Sequence, residues 1–193
     1  GLSDALVETN SFYLGNDPSS TTNNAQYNLA IGTTALDAIT IGNYNTGVGY
    51  NALTAATSSN HNTAFGANAL SANIDGGHNT AMGSQAYASD GDGSYNTAIG
   101  AYSLNATQDA DNNTAVGAFS LRNNTSGQFN TALGYIAGGD ITTGSQNIII
   151  GYDADPSSAT ATNQIVLGYN ATGKGDNTVT LGNEGVTAVY AAE

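Results

Sequence analysis

Seven positions spaced 17 residues apart carry the side chains best suited to chemistry: Tyr27, Tyr44, His61, His78, Tyr95, Asn112 and Phe129. On strands stacked about 4.8 Å apart, such a column forms a stripe of flat rings. A ring stripe beside polar loops can hold a sugar, so Tyr27, Tyr44, His61, His78, Tyr95 and Phe129 are the candidate glycan-binding residues. The competing reading is that the ladder only stabilises the stack. His61 and His78 are adjacent on it, but two histidines without a carboxylate column make a poor metal site, and no metal ligand is assigned.

The acids offer a second kind of chemistry. Asp90 and Asp92, Asp109 and Asp111, and Asp153 and Asp155 are pairs that could bind Ca²⁺ or flank a glycosidic bond. They lack the EF-hand pattern and do not recur at one position of every repeat, as a calcium-binding roll requires. They read as solvated loop charge. No nucleophile elbow, His-Glu metal motif or phosphate loop is present, so no catalytic residue and no cofactor is expected.

The elements that would position these residues are set by a period. Gly15, Gly32, Gly49, Gly66, Gly83, Gly100, Gly117, Gly134, Gly151 and Gly168 are separated by 17 residues each, and Gly182 follows after 14. Such a spacing is too short for helix pairs and suits one turn of a β-solenoid, with each glycine at the same corner of successive coils. Ten coils at about 4.8 Å each give a rod of roughly 50 Å. The expected organisation is an N-terminal extension over 1–10, the solenoid over 11–185 and a C-terminal extension over 186–193.

Composition agrees with a repeat architecture. The 193 residues include 25 Gly, no Cys and no Trp, and 2 basic against 15 acidic side chains, for a net charge of -13. Disulfides and thiolate metal sites are excluded as staples, and nucleic acid is excluded as a partner, because phosphate neutralisation needs clustered Lys and Arg. No apolar run is long enough to insert in a membrane, and residues 1–10 lack the basic and apolar regions of a signal peptide.

Aligned on the glycines, the central repeats read Asn62-Thr-Ala-Phe-Gly66, Asn79-Thr-Ala-Met-Gly83 and Asn96-Thr-Ala-Ile-Gly100. Alternation places Thr and the large apolar residue on one face and Ala on the other, so both faces of the strand look buried. One face would line the coil interior and the other would meet a second copy of the chain. A weaker second strand is expected at Ala52-Leu53, Ala69-Leu70 and their equivalents. Two large apolar residues per coil are little for 17 ordered residues, so burial between chains is expected, and rods with a shared core are commonly threefold. The Asn four residues before each glycine would stack on itself as an amide ladder.

The Asn-Thr-Ala-apolar-Gly run, followed by Ala-Leu and a loop such as Asn123-Asn-Thr-Ser-Gly127, resembles the repeats of phage tail fibres over about residues 11–185. It is also similar to the left-handed parallel β-roll heads of trimeric autotransporter adhesins, although those heads favour a shorter period and an Asn-Ser-Val-Ala-Ile-Gly core. The stretch from Asn177 to Tyr190 resembles the segment that precedes an intramolecular chaperone in many fibres, which places Glu193 near a release point. The resemblance implies an all-β, left-handed parallel solenoid assembled as a homotrimer, in an extracellular virion tail fibre that contacts bacterial surface polysaccharide. An adhesin head on a bacterial surface is the alternative. A third reading is an ice-binding solenoid, from the column Thr46, Thr63, Thr80, Thr97, Thr114 and Thr131. Those threonines share the face of the large apolar residues, which suggests burial.

Overall fold

A β-branched threonine and a large apolar residue two places apart suit a short strand, and the glycine that follows ends it. The computed structural model describes residues 5–8, 10–15, 22–89 and 91–189. Its strands are β1 (Ala5–Glu8), β2 (Ser11–Leu14), β3 (Leu29–Ile31), β4 (Thr46–Val48), β5 (Thr63–Phe65), β6 (Thr80–Met82), β7 (Thr97–Ile99), β8 (Thr114–Val116), β9 (Thr131–Leu133), β10 (Ile148–Ile150), β11 (Ile165–Leu167) and β12 (Val179–Leu181). Among the described residues they pair in chain order into one twelve-stranded sheet. From β2 onward every pairing is parallel, with equivalent repeat positions opposite each other, as in Thr63 opposite Thr80 and Ala64 opposite Ala81. The chain is an all-β parallel solenoid with one strand per coil.

The N-terminal extension joins this sheet. β1 runs antiparallel to β2, with Ala5 opposite Leu14, and covers the edge that β2 would otherwise expose. Residues 190–193, with Glu193, and Asp90 of the first acid pair lie outside the described residues.

The middle residue of each strand points inward: Ala30, Ala64, Ala81, Ala98, Ala115, Ala132, Ile149 and Val166 are fully buried. Opposite them in the core stand Leu36, Leu53, Leu70, Tyr87, Leu104 and Leu121, also fully buried. These are not strand residues, which corrects the expected second strand. Each has φ between 47° and 53°, in the left-handed region, and the backbone there is a turn. A left-handed non-glycine residue costs about 1–2 kcal/mol, while burying a large side chain returns about 1.5–3 kcal/mol, so packing of the leucine decides the backbone. The turns still pair between coils, as in Leu53 N–H to Ala69 O at 3.0 Å.

The expected amide ladder is present and buried. The backbone N–H of Asn45 donates to Asn28 Oδ1 at 2.8 Å, and the same contact repeats coil by coil to Gln164 N–H on Asn147 Oδ1 at 2.9 Å. Each Asn Nδ2 donates across the coil to the carbonyl fourteen residues on, as in Asn79 to Gly93 O at 2.8 Å and Asn130 to Gly144 O at 2.8 Å. Ser11 starts the ladder by accepting from Asn28 N–H at 3.0 Å. At the other end Gln164 is one methylene too long for the rung, and its Nε2 turns to Ser157 Oγ at 2.6 Å.

The corner glycines are required by conformation and by the stack together. Gly49 has φ of 134°, and a Cβ there would lie 2.6 Å from Gly66 O; at Gly100, with φ of 131°, it would lie 2.5 Å from Gly117 O. Gly175, in the shortened last coil, shares the conformation, with φ of 136°, but has open space around its Cβ position. Gly175→Ala therefore carries only the backbone cost of about 1–2 kcal/mol, whereas Gly100→Ala adds a clash with backbone and is expected to cost at least about 3 kcal/mol. Urea unfolding of the two variants checks this, and equal midpoints would show that coil contact does not restrict the corner.

Candidate functional site

The ring column forms as a continuous stack over five coils. Tyr27, Tyr44, His61, His78 and Tyr95 follow one another at centroid spacings of 4.8 to 4.9 Å, with planes within 10° of parallel. Each sits just ahead of the buried Asn in a left-handed backbone conformation, φ 59° to 62°, which turns the ring out at the corner. Asn112 ends the run, so Phe129 stands apart from it on the same column. The rings cover one another's faces and present hydroxyl and imidazole edges outward. A sugar packs on a ring face, so the arrangement serves cohesion between coils better than it serves stacking of a ligand.

The period also gathers carboxylates that pairing in sequence concealed. Asp75, Asp92 and Asp109 share one column, 17 residues apart, and the last two accept from backbone of the preceding coil: Asp75 N–H to Asp92 Oδ1 at 2.9 Å and Asp92 N–H to Asp109 Oδ1 at 3.2 Å. The recurrence covers three coils and not every repeat. Ser58 Oγ bonds Asp75 in turn. These oxygens are occupied with holding loops together, and no cluster of three or more metal-ligating side chains forms among the described residues. His61 and His78 lie ring over ring, each stacked on a tyrosine at its other face.

The outward face of the sheet is an exposed surface that runs the length of the single chain. Thr63 is exposed and Thr46, Thr80, Thr97, Thr114 and Thr131 are half-buried, beside Phe65, Met82, Ile99, Leu133 and Ile150, which keep 36 to 55% of their surface accessible. In β10 to β12 the threonines give way to Ile148, Ile165 and Val179, so that end of the face is wholly apolar. One flank is the ring column just described. The other is the residue after each corner glycine, which carries Tyr135, Tyr152 and Tyr169, stacked at 5.3 Å.

This second ring ladder was not singled out from the sequence, although the 17-residue spacing of those tyrosines announces it. Its upper part shifts by one residue to Tyr102 and Phe119, stacked at 5.3 Å, because alanine occupies the earlier position there. Beside them Tyr102, Asn105, Ala106, Phe119, Arg122 and Asn123 line an open groove of about 270 Å³, with the Arg122 guanidinium 5.8 Å from the Phe119 ring centre. A larger cleft of about 560 Å³ opens where the last coil is short, and Lys174 and Glu184 line it. The chain's two cations thus each line a groove on a surface that is otherwise acidic or neutral.

The chain matches no protein-family model, no curated protein and no solved structure. No helix among the described residues is long and apolar enough to cross a membrane.

Two titratable groups are displaced by their surroundings. Tyr87 replaces the core leucine in its coil, its hydroxyl donating to Gly93 O at 3.3 Å and accepting from Asn96 Nδ2 at 3.2 Å, and burial raises its pKa. Asp155 is raised from the ordinary 3.8 to about 6, chiefly by burial, with Asp140 and Asp153 adding to it against the Asp140 N–H bond. The folded state therefore holds this proton more tightly than the unfolded chain, and stability falls as pH rises from about 4 to about 6. Asp155→Asn keeps the acceptor for Asp140 N–H and is expected to stabilise at pH 7.5 by about 1 kcal/mol, or 2–4 °C in Tm, after allowance for solvent screening. At pH 4 the gain should vanish in calorimetry, and a gain that is the same at both pH values would contradict the assignment.

Proposed function

We propose that the chain is a rod-forming segment of a homotrimeric, phage-type tail fibre that contacts bacterial surface glycans, acting outside the cell on the virion. The observation that carries the reading is the outward sheet face. It pairs large apolar side chains with threonines, is regular over the length of the solenoid and is free of charge, on a chain of net charge -13. On a polyanion a surface without acids is the one where copies meet without like-charge repulsion, and a sheet face with a continuous column of half-exposed large apolar residues is atypical of a protein that works as a monomer. The loops, by contrast, are polar and vary from coil to coil, which is where binding specificity is usually carried.

Glycan contact is assigned to the loop side. The groove beside Tyr102, Phe119 and Arg122 combines aromatic edges, two amides and a guanidinium, a set able to hold a sugar that bears a carboxylate or phosphate. The same architecture would serve the head of a trimeric adhesin on a bacterial surface, and sequence adjoining this segment, a stalk and anchor or a fibre chaperone, separates the two. The outward threonine column favours the ice-binding alternative more than its expected burial did, but Phe65, Met82 and Leu133 beside it roughen the plane that ice would need. Thermal hysteresis of the purified protein would decide for it.

Light scattering on the purified protein is expected to give three times the 19.4 kDa mass of the 193-residue chain. A monomeric mass at micromolar concentration would remove the fibre reading. On a glycan array the protein is expected to favour acidic sugars, and Arg122→Ala to lose about tenfold or more in signal; unchanged binding by the variant would move the receptor site elsewhere.

A further inference from the structure

We infer that the loop side of the rod carries a hinge near mid-length, formed by residues 73–77, 91–94 and 107–110, where the coils part locally while the sheet stays closed. The hinge stands apart from the fibre reading, because this corner lies away from the outward sheet face and opens alike in one chain or in an assembly.

Two independent features meet at this corner, and the first is in the core. One inward column, seven residues after each corner glycine, reads Ile39, Ala56, Asn73, Thr107, Asn124 and Ile141, position 90 aside. All six are buried, so the column is apolar toward both ends and polar between. Among the described residues, Ser59 Oγ, Asn73 Oδ1 and Thr107 Oγ1 are buried without a hydrogen-bond partner. At Asn124 the same rung is complete: Nδ2 donates to Gly127 O at 2.9 Å and Oδ1 accepts from Gly127 N–H at 3.0 Å. Asn73 makes only the first of these bonds, to Gly76 O at 2.9 Å. In the coil between Asn73 and Thr107, Tyr87 stands in place of leucine and its hydroxyl reaches Gly93 O at 3.3 Å, longer than an ordinary O–H···O bond. Buried polar groups without partners favour a motion that brings them to water.

The second feature is how the corner is joined from coil to coil. In the flanking coils backbone meets backbone: Thr40 N–H donates to Thr57 O at 3.0 Å, Thr57 N–H to Ile74 O at 3.2 Å and Thr125 N–H to Thr142 O at 2.7 Å. Between them exposed carboxylates carry the rungs. Ile74 N–H and Asp75 N–H both donate to Asp92 Oδ1, at 3.1 and 2.9 Å, and Asp92 N–H donates to Asp109 Oδ1 at 3.2 Å. A side-chain acceptor regains rotamers on leaving and water competes for it, so such a rung opens more readily than a backbone one.

The opposite side of the same coils is unbroken. β5 to β8 pair in register, and the amide ladder continues through Asn79 N–H on Asn62 Oδ1 at 2.8 Å and Asn113 N–H on Asn96 Oδ1 at 2.9 Å. The sheet is therefore a spine, and parting of the corner bends the rod toward its sheet side.

Amide hydrogen exchange followed by NMR tests the hinge with matched reporters. The N–H groups of Ile39, Asn73 and Thr107 each donate to the carbonyl three residues back at 3.3 Å, and that of Ile141 does so at 3.1 Å. After correction for intrinsic rates, Asn73 and Thr107 are expected to be about tenfold or more less protected than Ile39 and Ile141, while Thr80 and Thr97 in the sheet stay as protected as Thr46 and Thr131. Asn73→Ile restores the pairing of isoleucine with a glycine three residues on, as in Ile39 with Gly42 and Ile141 with Gly144, and is expected to raise protection at position 73 about tenfold. Thr107→Val removes the unpaired hydroxyl with little change of shape, should do the same at position 107, and covers the case in which the first variant does not fold. Equal protection at Asn73, Thr107, Ile39 and Ile141 would overturn the hinge. So would a loss shared by Thr80 and Thr97, which marks whole coils unfolding, or protection that neither variant raises.

Discussion

A buried amide in every coil fixes what the neighbouring coils can be. The Asn side chain lies inside the solenoid, where its oxygen accepts from the backbone of the next rung and its Nδ2 spans to a carbonyl across its neighbour. The Asn carbonyl in turn accepts from the strand of the preceding coil, as Asn62 O does from Thr46 N–H at 2.8 Å. Unpaired, each of these groups would cost about 1–3 kcal/mol, so a coil that placed them out of register would unravel its neighbours as well. The constant length between corners, the small residues on the inner face and the glycine at the turn all follow from keeping these groups level.

Much of this was legible in the sequence, because a period of identical rungs converts spacing into contact. Asn45 and Asn62 are far apart as residues and adjacent as rungs, and the same holds for Tyr27 and Tyr44. What periodicity did not disclose was backbone conformation. Leu53 and Leu70 look like strand residues by composition, yet each is left-handed, because a coil this short must turn twice more after its glycine and can do so only if the leucine points to the axis. Leucine carries no local signal for φ above zero, so only the tertiary demand for a buried side chain reveals it.

The candidate sites were less legible, and for a different reason. Ring types and spacing identified the column from Tyr27 to Tyr95, but whether its faces lie open depends on ring orientation, which the fold sets at nearly parallel. Asp75, Asp92 and Asp109 escaped because proximity along the chain drew attention to Asp109 and Asp111 instead. In a solenoid the nearer neighbour is the residue one coil away. Arg122 meets Phe119 in the opposite way, by adjacency within one turn, and nothing periodic marks the arginine.

The matched rungs also bear on how such a chain changes over generations. Removing or adding seventeen codons between two corner glycines rejoins an Asn to an Asn and a glycine to a glycine, with no buried group left unpaired at the junction. Any other change in length within a strand segment breaks the match. Recombination among the near-identical repeats therefore shortens or extends the rod in whole steps of about 4.8 Å, so its length is a discrete trait that selection can tune while every interior contact stays as it was.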